Sequence, residues 1–240
     1  KEYRTDMDHK QSTLSEFDSK VILEKQGVTF AKMLMSKDID GAVLAANNIG
    51  YPVALKLNGS NIAHKTERNL VRLGLPHGEA VKGAAEALLN EVTEDDEDVS
   101  LVVAEMVSGS RELIVGFHVD EQFGPIVVLG LGGILTEALK DVVFAAAPVD
   151  MSQAKRMIKA ISANDLIEKE FRGEEKTDLE KLASLIVNVS KVYQTNNSIK
   201  SIDINPVIIS KGVPVAVDAL IETGQEMLKY DVPKIPSKQA

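Results

Sequence analysis

The chain has 240 residues, 44% of them hydrophobic, enough for one two-lobed domain or two small ones, and its 27 basic against 36 acidic side chains leave a net charge of −9. With no Lys/Arg stripe and the acidic excess gathered in TEDDEDVS (93–100), nucleic acid is not an expected partner; with no cysteine, disulfides, thiolate nucleophiles, thiolate zinc sites and Fe–S clusters are excluded, which fits a cytoplasmic protein. The longest apolar stretch, PIVVLGLGGIL (125–135), is too short to span a bilayer, so no membrane partner is expected, and the polar start KEYRTDMDHKQ carries no signal-peptide pattern.

Residues 13–16, TLSE, read as a capping box that opens a helix carrying Leu14, Phe17, Val21 and Leu23 until Gly27 stops it. A short strand VTFAKML follows, then a helix from Ser36 with Ile39, Val43, Leu44 and Ala46 that runs to Gly50, then a strand over 51–58. The stretch 59–77 is polar and irregular, and a helix with Val81, Ala85, Leu88, Leu89 and Val92 on one face ends at the acidic run, read as a solvated loop. Strands are predicted over 100–107, 111–120 and 125–130, then a Gly-rich segment leading to a short helix near LTEALKD. One helix starts at Asp150. Another starts at a second capping box, TDLE (177–180), with Leu179, Leu182, Leu185, Ile186 and Val189 as its stripe. This mixed order predicts an α+β (mixed α/β) fold in a single domain over 1–240, with a cleft where an N-terminal lobe (about 20–105) meets residues 1–19 and 106–240.

The closing stretch SIDINPVIISKGVPVAVDALI (201–221) sets Asp203, Asn205 and Asp218 among aliphatic residues around a Lys211-Gly212 turn. A two-residue hairpin loop there pairs Ser210 with Val213 and, counting back in step, Asn205 with Asp218, their Cβ atoms roughly 5 Å apart. An amide oxygen and a carboxylate so held suit Mg²⁺, which takes only one or two protein oxygens beside phosphates and water. The other reading of these residues is polar punctuation at element ends around Pro206.

In VALKL, Val53, Leu55 and Leu57 face one way and Ala54 and Lys56 the other, so Lys56 either points to water from an edge strand or meets an anion such as a nucleotide phosphate. His64, in GSNIAHKTE, has the side chain suited to carrying a phosphoryl group or a proton, though most loop histidines do neither. Gly130, Gly132 and Gly133 either receive a phosphate on free backbone N–H groups or serve tight packing. Glu105 and Glu112 flank a bend around Ser108-Gly109.

Together, and in this order, TLSEFDSKVILEKQGV, PVALKL, IAHKTE, VAEMVSGSRELIVGFHVDEQFGPIVVLGLGGILTEALKDV, FRG, DINPVI and VAVDALI resemble the ATP-grasp domain (beta subunit) of ADP-forming acyl-CoA (acetate-CoA) synthetases, relatives of the succinyl-CoA synthetase beta subunit. The resemblance implies an ATP-grasp fold of two lobes clasping Mg²⁺ and ATP, and an acid-thiol ligase that converts acid, CoA and ATP to acyl-CoA, ADP and phosphate. It implies that Lys56 holds the ATP phosphates, that Glu105, Met106 and Val107 read adenine, that Glu112 faces the nucleotide or its ribose, that Asn205 and Asp218 ligate magnesium, and that His64 carries phosphate. It also implies an alpha subunit that carries the CoA-binding and acyl sites. The alternatives are a stand-alone ATP-grasp carboxylate-amine ligase and a nucleotide-sensing module without turnover. Two positions depart from the family pattern: Asn69 and Leu70 replace the usual glycine pair after the HK loop, and Ala145 stands where an arginine is common.

Overall fold

Apolar residues that alternate along the later strands and recur every third or fourth residue along the helices can be buried only by laying helices on one face of each sheet. The structure, a computed structural model, describes residues 12–59, 62, 68–133 and 141–224. In chain order the described elements are β1 (Ser12–Thr13), α1 (Glu16–Lys25), β2 (Met33–Ser36), α2 (Ile39–Ile49), β3 (Val53–Asn58), β4 (Val71–Leu75), α3 (Gly78–Asn90), β5 (Ser100–Glu105), β6 (Glu112–Asp120), β7 (Gly124–Leu131), β8 (Val142–Ala146), α4 (Met151–Ala160), α5 (Asn164–Glu168), α6 (Leu179–Thr195), β9 (Ile199–Ser210), β10 (Val213–Ala216) and β11 (Ala219–Thr223).

They form two sheets. The small one runs β2-β5-β3-β4, and the large one β1-β11-β9-β6-β7-β8 with β10 on β9. Ala42, Ala45 and Ala46 of α2 and Val81, Ala85 and Leu88 of α3 bury one face of the small sheet against Val53, Leu55, Leu57, Leu101 and Val103. Leu23 of α1, Met157 and Ile158 of α4 and Leu182, Ile186 and Val189 of α6 cover one face of the large sheet, over Leu113, Val115, Phe117, Val127, Leu129, Ile202 and Ile204. A third apolar cluster, Ala31, Met33, Ala54, Val102 and Ala104, lies on the other face of the small sheet, with Phe17, Phe30 and Val215 packed against it. The backbone joins the two parts there too: Ala31 N donates to Ala216 O and Ala216 N to Thr29 O, both at 2.9 Å.

The helix starts differ from the sequence reading in an instructive way. Ser15, not Thr13, caps α1 by accepting Asp18 N, and Asp178, not Thr177, caps α6 by accepting Glu180 N and Lys181 N. Glu16 and Thr177 are thereby free for partners elsewhere in the fold. The strand expected over VTFAKML starts only at Met33, β4 occupies the end of the stretch read as irregular, and β8 was not anticipated. The short helix expected near LTEALKD lies, but for Asp141, outside the described residues.

Two buried ionic contacts tie connections to the sheets. Asp96, read as part of a solvated acidic loop, has a side chain only 2% exposed; it accepts Arg68 Nη1 and Nη2 at 2.7 and 2.8 Å and Thr93 N at 2.9 Å. The Arg68 bond, followed by those from Thr93, holds the Asp96 carboxyl well below the usual carboxylate range, against the opposing effect of burial. Arg111, also buried, donates through Nε to Glu174 Oε2 (3.2 Å) and through Nη1 to Thr177 Oγ1 (3.1 Å) and the carbonyls of Ile167 and Lys169 (both 3.3 Å). Its Nη2 reaches the Glu175 carbonyl, and Ser110 N donates to Glu174 Oε1 at 2.6 Å. This guanidinium holds residues 167–177 against the start of β6.

Arg68→Ala strands a buried carboxylate and should cost about 2 kcal/mol, lowering the melting temperature by roughly 4–8 °C. Because the Asp96 pKa is depressed in the folded state, the pair's contribution is full above about pH 5 and is lost as pH falls further; the gap between wild type and Arg68→Ala in thermal melts should narrow from about pH 5 to pH 2. Arg111→Ala should cost at least about 3 kcal/mol by the same melts, with Arg111→Lys recovering only part because an ammonium cannot reproduce the fork.

Candidate functional site

β3 is buried along its whole length, which a charged residue tolerates only with partners in place. Lys56, 4% exposed, lies on the same face as Ala54, turned toward the large sheet. Its Nζ donates to Glu16 Oε1 at 2.6 Å and to Val217 O and Asp218 Oδ2, both at 3.3 Å. Those three bonds match the three protons of an ammonium. Burial alone would lower the Lys56 pKa, but the charges of Glu16 and Asp218 and their hydrogen bonds outweigh it and hold the pKa above the ordinary lysine value. Glu16, 2% exposed, is placed by the first turn of α1, whose Phe17 N donates to Asn58 Oδ1 at 3.2 Å; Asn58 in turn donates to Ser100 Oγ at 3.1 Å. The start of α1 is thus pinned to the end of β3.

Asp218 reaches Lys56 from the closing hairpin. Lys211 (φ 48°) and Gly212 (φ 76°) form its two-residue loop, both in the left-handed region that a type I′ turn requires, and Ser210 pairs with Val213. The ladder continues in step to Ala219 opposite Ile204; between, Val217 N donates to Pro206 O (3.0 Å) and Asn205 N to Asp218 O (3.2 Å). Asn205 and Asp218 therefore stand opposite each other, as the spacing predicts. Against β6 the same strand slips by one: Leu113 pairs with Val207 but Val115 with Ile204, so Asn205 and Pro206, joined by a cis peptide bond, face the single residue Ile114. This β-bulge changes which residues point inward, from Ile202 and Ile204 to Val207 and Ile209. It leaves Asp203 and Asn205 exposed on the face turned away from the helices, with the Asp218 side chain 35% exposed.

The other predicted residues gather at the connection between β5 and β6. Glu105, whose N donates to Lys32 O at 2.9 Å, ends β5; Met106 is 40% exposed and Val107 half-buried. Gly109 passes so close to the large sheet that a Cβ there would lie 2.4 Å from Ile209 O. Glu112 opens β6 beside the glycine pair: Gly132 N donates to Glu112 O at 2.7 Å, and a Cβ on Gly133 (φ 64°) would lie 2.9 Å from Glu112 Oε2. Close packing against Glu112 thus accounts for Gly132 and Gly133, the second of the two sequence readings. Ala145 packs against the large-sheet core. His64 lies outside the described residues.

The donor set at the hairpin is an amide and a carboxylate, both hard oxygen ligands. Among the described residues no group of three or more His, Cys, Asp or Glu is arranged to hold a metal. That chemistry fits an ion carrying phosphate and water ligands of its own, as Mg²⁺ does, and suits zinc or an all-protein calcium cage poorly. Glu16 and Arg111 escaped the sequence reading, since each acts on residues at least 40 positions away.

Residues 6–223 match the family model described as ATP-grasp domain. The chain is 35% identical over 217 residues to the acetate–CoA ligase [ADP-forming] II subunit beta of Pyrococcus furiosus, covering 88% of this chain and 92% of that one. It is 34% identical over 203 residues to the 4-hydroxybutyrate–CoA ligase [ADP-forming] of Nitrosopumilus maritimus, covering 83% of this chain but spanning only 29% of that longer protein. Among solved structures, the dinucleotide-forming acetyl-coenzyme A synthetase 1 of Ca. Korarchaeum cryptofilum, in complex with coenzyme A, Ca-AMPCP and HgCl+, superposes with a TM-score of 0.83 at 31% identity over 88% of this chain and 93% of that one. No helix among the described residues is long and apolar enough to cross a membrane. Two α+β sheets meeting at a buried lysine, with the sequence match running from residue 6 to residue 223, make this chain a member of the ATP-grasp domain family.

Proposed function

We propose that the chain is the ATP-binding, phosphoryl-transfer component of an ADP-forming acyl-CoA synthetase, working in the cytoplasm as one two-lobed domain with an alpha-type partner that carries the CoA and acyl sites. The observation that carries this reading is the meeting of Lys56 with Asp218, opposite Asn205, in a chain that spans 92% of a beta subunit of acetate–CoA ligase. The Lys56 ammonium would neutralise phosphate charge. Asn205 and Asp218 would hold Mg²⁺, which would offset the charge of the nucleotide phosphates. Glu105, Met106 and Val107 would receive the adenine edge on backbone and side-chain polar groups, and Glu112, stacked on Gly132 and Gly133, would face the ribose. His64 would accept the phosphoryl group on a ring nitrogen before it passes to the partner. Phosphoryl transfer asks mostly for positioning and electrostatic stabilisation, and a lysine fixed between two sheets offers both.

The reading is tested by ADP release from the chain reconstituted with an alpha subunit of an ADP-forming acetate–CoA ligase, in the presence of ATP, Mg²⁺, CoA and a short carboxylic acid. Release should require both CoA and the acid. Asn205→Ala and Asp218→Asn should each lower Mg-dependent release on the order of a hundredfold, the scale of a lost metal ligand or its support, while circular dichroism stays that of wild type. Turnover unchanged by either substitution refutes the metal assignment. Release that needs an amine in place of the thiol refutes the thioester product and identifies a carboxylate-amine ligase.

A further inference from the structure

Among the described strands, β1 and β8 end the large sheet and β2 and β4 the small one. An exposed edge invites pairing with another chain, and folds blunt it with short strands, charges, bulges or a covering segment. β1 has two residues, β2 lies between the exposed Lys32 and Lys37, and β4 carries Arg72 and a register shift against β3. The outer side of β10 is met at Ala216 by the backbone of Thr29 and Ala31. β8 has none of these devices. From Val142 to Ala147 it holds no charge and no proline, and it pairs with β7 in unbroken register. Asp141, just before it, is committed to Ser162 N and Ala163 N, both at 2.9 Å.

The backbone of this edge is open as well. Ala147 N donates to Pro125 O at 2.8 Å and Leu131 N to Asp141 O at 3.3 Å, so in step with these Val143 and Ala145 are the residues that bond to β7. The N–H and C=O groups of Val142, Phe144 and Ala146 therefore point away from the sheet, and among the described residues nothing takes them. Their side chains share the face turned from the helices, where Phe144 is 62% exposed beside Val128. Val143 and Ala145, on the other face, pack against the large-sheet core.

We propose that β8 joins two copies of this chain, each strand running antiparallel to its own image about a two-fold axis at Phe144. Phe144 then lies opposite Phe144, and on either side of that pair each valine meets an alanine: Val142 opposite Ala146 on one face, Val143 opposite Ala145 on the other. Both faces of the joint are apolar. Val142, Phe144 and Ala146 each exchange both backbone bonds with the opposite strand, as an antiparallel ladder requires. Charge selects the occupant as shape does: each copy carries −9, and this run lets two of them meet with no like charges opposite each other. A contact of this isologous kind closes at two chains. β6 and β7 separate β8 from β9, so the joint lies about 14 Å across the sheet from Asn205 and does not depend on the nucleotide reading.

The test is sedimentation equilibrium of the full chain. Five residues a side make less than a standard interface of about 800 Å² per partner, so the dimer is a weak one, with a dissociation constant on the order of 100 µM or tighter. The weight-average mass should rise toward that of two chains as the concentration is raised to about 500 µM. Phe144→Asp sets two carboxylates opposite each other and should hold the chain at the mass of a monomer, with circular dichroism unchanged. Leu73→Asp, the same change at a residue 66% exposed on another edge, should leave the dissociation constant within about twofold. Ala146→Pro removes an N–H that β7 does not use; because the two-fold joint loses that bond twice, association should weaken at least about tenfold. The chain has no cysteine, so Phe144→Cys should give a disulfide-linked dimer on oxidation, and Leu73→Cys should not under the same conditions. Should Ala146→Pro fail to fold, the Phe144→Cys cross-link decides. A wild-type chain that keeps the mass of a monomer to about 500 µM overturns the proposal. So does a dimer that survives Phe144→Asp, which places the contact on another face, or growth beyond two chains, which is incompatible with a closed two-fold joint.

Discussion

A single buried ammonium sets the terms for the way the two sheets meet. Lys56 belongs to the small sheet, Glu16 to the helix packed on the large sheet, and Val217 and Asp218 to the closing strands of the large sheet. A charge buried to this degree is tolerated only while its partners stay in place, so the pairing constrains all three elements at once. Ala54, Val102, Ala104 and Met33, with Phe17 and Val215 beside them, keep the surroundings apolar. Low polarity strengthens the attraction of Lys56 for the carboxylates it meets, and raises the cost of leaving it without them.

The second constraint is a change of phase. A strand that alternates strictly would keep one set of side chains on the core from end to end. β9 does not. The two residues Asn205 and Pro206, set against the single Ile114, let Ile202 and Ile204 point inward before the bulge and Val207 and Ile209 after it. Across the ladder the inward residues change in the same place, from Ala219 and Ile221 to Ala216 and Pro214, with Val217 and Asp218 between. Both strands therefore present their irregular pair at one level of the sheet. Asn205 and Asp218 sit there because the core on either side is already satisfied, which releases their side chains from packing duty.

How far the sequence revealed this follows from the range of the interactions. The hairpin register was legible because its determinants are local: a Lys-Gly loop selects a type I′ turn, and two aliphatic runs then fix the pairing out to Asn205 and Asp218. The helices over 39–49, 78–90 and 179–195 were legible from periodicity, and the one over 151–160 from its start at Asp150. Both threonine-led capping boxes misplaced the cap, by two residues at α1 and by one at α6, and for a common reason. In TLSE the glutamate is claimed by Lys56, 40 residues away, and in TDLE the threonine is claimed by Arg111, 66 residues away. A local rule assigns those side chains to the nearest backbone N–H; the folded chain assigns them to buried cations, where an unmet partner would cost more than a lost cap. β4 was missed because Arg72 and Gly74 break its alternation at a sheet edge, and Asp96 because composition marks an acidic run as solvated whether or not one member turns inward.

The same argument of range explains how Asn69 and Leu70 stand where the resembling family has glycines. Asn69 has φ 56°, in the left-handed region that glycine enters freely and asparagine tolerates better than most side chains. Arg72 Nη1 donates to its carbonyl at 2.6 Å and to its side-chain oxygen at 3.3 Å. Leu70 is fully buried in the small-sheet core, and its carbonyl accepts Leu57 N at 3.0 Å, one residue from Lys56. The glycine backbone conformation is thus kept at Asn69 while its freedom is removed, since a side chain there narrows the accessible backbone and the Arg68–Asp96 pair fixes the residue before it. What the substitutions change is the stiffness of the point where the chain re-enters the sheet beside Lys56.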